Sequence, residues 1–152
     1  MKPTIFLRIA SGLTLLHAVG HTIGGVFGKP APGIAAATDA VMRANHFQVL
    51  GVTRSYWDFY HGMGLGITIS LTADCILFWL LGSLAKKHAA ELRPVLWLFA
   101  LAYSAFAVNS STYFFSGPVI GEILIVACLL GAIASAKPAA EPLPLRQARA
   151  GH

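Results

Sequence analysis

Charge is what this sequence lacks. Asp, Glu, Lys and Arg make up 11% of its 152 residues, less than half of the roughly 25% found in a soluble domain. A water-soluble domain of this length needs a charged coat, and the chain has no material for one, so lipid is expected to be its solvent. Period-two alternation is also missing. Lipid-facing strands, whose backbone would go unpaired in hydrocarbon, are therefore excluded. The two cysteines, Cys75 and Cys128, fall inside apolar segments and read as buried thiols or small hydrophobic side chains rather than a structural disulfide. No glycine-rich phosphate loop follows a strand, and no nucleophile–base pair names a reaction. A net charge of +5 invites a nucleic-acid reading, but the basic residues form no aromatic-interleaved patch and no nucleic-acid partner is expected.

Four apolar segments are present instead, near 4–27, 57–83, 93–115 and 118–136. Each can cross a hydrocarbon core of ~30 Å, which takes about 20 helical residues. The expected fold is all-α: a four-helix transmembrane bundle over residues 1–136, with an outer amphipathic loop helix and a disordered, Pro/Ala-rich tail over 137–152. Lys2 and Ala18-Val19-Gly20 resemble parts of a signal peptide. The apolar run nevertheless continues to Phe27 and Arg8 interrupts its start, so this segment is expected to persist as the first span.

Basic residues set the direction. With four spans, Lys2, Arg8, Lys86, Lys87, Arg93, Lys137, Arg146 and Arg149 share one side, and Lys29, Arg43 and Arg54 the other. The positive-inside rule then places both termini in the cytoplasm of a bacterial inner membrane. The outer connection 28–56 opens with the flexible GKPAPG and continues with IAAATDAVMRANHFQVLG, where Ile34, Val41, Met42 and Val49 form one helical stripe. That helix is expected to lie in the interface or cap the bundle. Ser116-Gly117, followed by Pro118, joins the last two spans in a tight hairpin.

Polar side chains converge in the outer half. His17 and His21, four apart, share a helix face, about 15 and 9 Å below the outer boundary. Asp58 and His61 share a face of the second span, whose Tyr56, Trp57 and Tyr60 form an interfacial anchor. Asn109 lies about 9 Å from the outer end of the third span and Glu122 about 6 Å into the fourth. Intramembrane ionisable groups default to a functional reading. The imidazoles of His17, His21 and His61 offer tentative ligands to a metal ion, or axial ligands to a haem from facing helices. A small organic ligand or a proton relay would use the same layer. Cross-helix hydrogen bonding without any ligand is the competing account, and for Glu122 and Asp58 it includes favourable placement at a helix N-terminus. Asp74, counted inward from Trp57, falls at the depth of Arg8, and a structural Arg8–Asp74 ion pair is expected.

Two stripes of small residues, Gly20/Gly24/Gly28 and Gly62/Gly66/Ser70, allow close backbone approach. They predict a crossing of the first two spans near the histidines, or contact with a second copy or a partner membrane protein. The stretches LTLLHAVGHTIGG (13–25) and ANHFQVLGVTRSYWDFYHGMGLG (44–66) resemble a family of small bacterial four-helix membrane proteins with a first-helix His pair and an R-[ST]-Y-W-D-F-Y-x-G segment. The resemblance implies membrane location and fold but no reaction, and it supports His17, His21, Arg54, Trp57 and Asp58 most. Two functions remain open at this point: a ligand-binding or redox membrane protein, and a non-catalytic accessory or assembly protein whose polar layer only fixes packing.

Overall fold

The computed structural model describes residues 2–136; the expected tail over 137–152 lies outside them. Helix α1 (Pro3–Gly20) runs on through a π-helical segment, His21–Val26. After a glycine- and proline-containing turn come α2 (Ile34–Ala44), an antiparallel hairpin of β1 (His46–Val49) and β2 (Val52–Ser55), and then α3 (Tyr56–His88), α4 (Arg93–Tyr113) and α5 (Ser116–Ser135). Pro3 and Pro94 occupy first turns, where a missing N–H is harmless. Ser55 and Asp58 close a capping box on α3, satisfying two donors that the helix start leaves free.

Four stretches, Pro3–Val26, Tyr56–His88, Arg93–Tyr113 and Ser116–Ser135, are long and apolar enough to cross a membrane. The four long apolar segments expected from sequence are therefore helical, with ends shifted by a few residues. The largest shift is in α3, whose 33 residues extend about 50 Å.

The loop differs from its expected form. The helix stops at Ala44 and residues 46–49 pair as strands with 52–55, His46 opposite Ser55 and Val49 opposite Val52. Asn45 leaves the helical region (ψ 105°). The turn then places Leu50 and Gly51 at φ 48° and 84°, the left-handed geometry of a two-residue hairpin. Val49 therefore belongs to a strand and not to the stripe of Ile34 and Val41, both of which are exposed.

Helix α1 is the central element, packed against α3 on one side and α5 on the other, while α4 packs on α5. Phe78 of α3 meets Phe99 and Tyr103 of α4 ring to ring, at 5.2 and 5.8 Å. The apolar core gathers at the end of the bundle that carries the N-terminus: Leu7 and Ala10, Phe78 and Leu81, Leu96 and Ala100, Ile125 and Leu129. Towards the hairpin end the buried side chains turn polar, with Thr14, Ser110 and Glu122.

The glycines that permit close packing are not those of the expected stripes. A Cβ at Gly20, Gly24, Gly62 or Gly66 would meet nothing within 4 Å. At Gly131 it would strike the Phe6 ring at 2.7 Å, and at Gly64 it would press Val26 at 3.2 Å. The stripes thus face outward, and α1 and α3 cross on other positions.

Candidate functional site

Above the apolar core, α3, α4 and α5 each place a hydrogen-bonded polar group in the interior. The buried Tyr103 hydroxyl donates to Asp74 Oδ2 at 2.9 Å, tying α4 to α3. Ser110, seven residues on and so on the same face of α4, donates to Glu122 Oε1 of α5 at 2.9 Å. Two acids on different helices thus each take a hydroxyl donor from one face of α4. Among the described residues no Lys, Arg or His nitrogen lies within 4.0 Å of either acid.

Two atoms in this region are buried with no partner among the described residues: Glu122 Oε2 and His17 Nδ1. Glu122 is only 5% exposed. His17 turns towards α5, its Nδ1 3.8 Å from the position of a Cβ on Gly121. Native interiors leave few such atoms unpaired, and each one asks for a water, an ion or a role.

Helix α1 adds a line of polar side chains, Arg8, Ser11, Thr14, His17 and His21, covering about 20 Å of its length. Most steps are of three residues, so the line winds around the helix instead of following one face. Ser11 donates to the Cys75 carbonyl at 2.8 Å and Thr14 to the Ala10 carbonyl at 2.9 Å. The histidines diverge. His21 donates from Nε2 to the Gly64 carbonyl at 3.0 Å, on α3, whereas His17 faces α5. The π-helical segment begins at His21 and alters the rotation per residue there. Thr22, hydrogen-bonded to Thr68 at 3.0 Å, fastens the same turn to α3.

Other expected members of the layer lie elsewhere. Asp58 accepts from the Ser55 N–H (2.7 Å) and hydroxyl (2.9 Å), which makes it the third-residue partner of the Ser55 N-cap in the capping box of α3. His61 stacks on Trp57 at 4.4 Å and meets Phe27 edge-on, while the Arg43 guanidinium sits over the Trp57 ring at 3.8 Å. Asn109 is exposed, and its neighbour Ser110 takes the inward position. The tentative metal set His17, His21 and His61 is not assembled. Among the described residues no three His, Cys, Asp or Glu side chains gather closely enough to hold a metal ion.

The Arg8–Asp74 ion pair does not form. Arg8 donates to Ser83 Oγ at 2.9 Å and lies over Trp79 at 3.3 Å, while Asp74 turns to Tyr103. Asp74 and Ser83 are separated by about 13 Å along α3. Because α3 is longer than a hydrocarbon core, depth counted from Trp57 sets Asp74 too close to the far end. Cys75 and Cys128 are free thiols.

No family model, curated protein or solved structure matches the chain.

Proposed function

We propose that the chain is a four-span integral membrane protein of a bacterial cell membrane, both termini cytoplasmic, whose interior polar layer takes up and releases a proton. Four helices of spanning length support the membrane reading. So do outward side chains such as Leu16, Ile69 and Leu101, each 65% exposed or more, a density of apolar surface that water disfavours. The distribution of basic residues supports the direction.

One observation carries the proton reading: Asp74 and Glu122 sit in the bundle with no Lys, Arg or His nitrogen of the described residues within 4.0 Å to balance them. A carboxylate in an apolar interior is costly unless paired, and a proton is the smallest partner that neutralises it. Glu122 Oε2 is free to receive one. His17, with its open Nδ1 against the residue preceding Glu122, is the group suited to exchange it, since imidazole changes charge near neutral pH. Tyr103 and Ser110 hold the two acids in place.

The rival account, an accessory protein whose polar layer only fixes packing, draws on the same Tyr103–Asp74 and Ser110–Glu122 bonds, because each ties two helices. Liposomes holding the purified protein and an enclosed pH-sensitive dye separate the two. After an external pH step, wild type should equilibrate the interior at least tenfold faster than Glu122→Gln. A Glu122→Gln protein that folds and keeps the wild-type rate would establish the packing account. A Soret band or a stoichiometric metal in the same preparation would likewise count against the proton reading.

A further inference from the structure

Between the β1–β2 hairpin and the first turns of α3 lies an open groove of about 430 Å³. Val49, Val52, Phe59 and Met63 form its apolar wall, and Arg54 and Asp58 are the charged residues that line it. Gly62 also lines it, and a Cβ there would meet nothing within 4 Å. This groove is separate from the interior layer of Asp74, Tyr103 and Glu122.

Both charges have unused capacity. The Arg54 guanidinium makes one hydrogen bond, Nη1 to the Thr53 carbonyl at 2.8 Å, and among the described residues no carboxylate lies within 4.0 Å of it. Asp39, the acid on neighbouring α2, is taken by Arg43 at 2.7 Å. Asp58 uses Oδ2 for Ser55, and its Oδ1 accepts no hydrogen bond from the described residues. The groove therefore offers a guanidinium and a carboxylate oxygen side by side without an ion pair between them. Its height is marked by Tyr56, Trp57 and Tyr60, the kind of aromatic cluster that settles at the head-group level. Phe59 and Met63, 46% and 63% exposed, stand on the same turns.

We infer that this groove binds one phospholipid with a zwitterionic, primary-ammonium head group. Arg54 takes the phosphate, a pairing the guanidinium fork suits, Asp58 Oδ1 takes the ammonium, and Phe59 and Met63 carry the upper acyl chain. Charge complementarity decides the head group: a purely anionic lipid would set its charge against Asp58, and a neutral lipid would leave Arg54 unpaired. The inference rests on the membrane reading but not on the proton reading.

The test is native mass spectrometry of protein released from nanodiscs containing phosphatidylethanolamine, phosphatidylglycerol and diacylglycerol in equal amounts. Wild type should retain one phosphatidylethanolamine per chain, at least tenfold over phosphatidylglycerol, and no diacylglycerol. Arg54→Gln should lower that retention at least tenfold. Asp58→Asn leaves the Ser55 N-cap and keeps a side-chain oxygen to accept from the Ser55 N–H, and it should erase the preference between the two phospholipids. Gly62→Leu, which fills the groove without touching the fold, should abolish both. Equal retention by wild type, Arg54→Gln and Gly62→Leu would overturn the site, as would diacylglycerol bound as well as phospholipid. So would a Gly62→Leu effect confined to dimer mass, which would make the groove a contact between copies. A wild-type chain that does not enter nanodiscs would overturn it together with the membrane reading.

Discussion

Replacing Tyr103 by Phe removes one oxygen from the middle of the bundle and nothing else. The ring is 1% exposed and packs against Phe78 and Phe106, with centroids at 5.8 and 5.9 Å, so Phe fills the same space. What disappears is the hydroxyl that donates to Asp74 at 2.9 Å, leaving that carboxyl without its side-chain donor. Intramembrane side-chain hydrogen bonds average about 0.6 kcal/mol and reach about 1.7. Leaving a buried acceptor unsatisfied adds about 1–3 kcal/mol, part of which water entry relieves. A loss of about 1–2 kcal/mol is expected, a factor of roughly 5–30 in the folded ratio. Reversible unfolding in mixed micelles, followed by tryptophan fluorescence, measures it. The pair is isolated by a double-mutant cycle with Asp74→Ala, whose coupling should come near 1 kcal/mol. Coupling below about 0.3 kcal/mol, the scatter of independent sites, would refute the claim that the phenol and the acid act as a unit.

Gly131→Ala should lower the melting temperature, since the new Cβ meets the Phe6 ring at 2.7 Å and overpacking typically costs about 1–3 kcal/mol. Gly66→Ala meets nothing within 4 Å and should stabilise α3 by about 0.5–1 kcal/mol. Leu50→Asn should stabilise the hairpin by about 1 kcal/mol, because Leu50 stands at φ 48°, where a leucine is strained and Asn-Gly is the preferred turn. Slower amide exchange in β1 and β2 would report it. Arg8→Gln should lower stability by about 1–2 kcal/mol through loss of the guanidinium over Trp79 and change Trp79 fluorescence, whereas Asp74→Asn should leave that fluorescence as it is.

The spans were legible because apolar run length has few competing explanations in a chain so poor in charge. The loop was harder. Residues 34–51 satisfy a helical stripe, yet Leu50-Gly51 between Gln48-Val49 and Val52-Thr53 also fits a two-residue turn between short strands, and pairing prevailed from His46 onward. Glu122 is buried, as its place in the first turns of the fourth apolar segment suggests. Its donor Ser110 is harder to see, because Asn109 is the more polar neighbour, although Ser110 is the residue seven positions from Tyr103 and shares its face. Tyr103 itself looks like one more aromatic in an apolar run, and only the position of Asp74 on the neighbouring helix gives its hydroxyl a purpose.

The histidine pair shows where a face rule stops being informative. Spacing of four sets His17 and His21 near one another, and on a peripheral helix that would direct both to one neighbour. Helix α1 is central, packed by α3 and α5 together, so a small difference in rotation decides which neighbour each ring meets. The start of the π-helical segment at His21 supplies that difference, and the two rings part: His21 to the Gly64 carbonyl, His17 towards Gly121. One imidazole has its donor satisfied by backbone and fastens α1 to α3. The other keeps an open nitrogen beside the helix that carries Glu122. Two residues alike in sequence thereby take different surroundings, and the position with unspent hydrogen-bonding capacity, His17, is the one on which the proposed proton exchange rests.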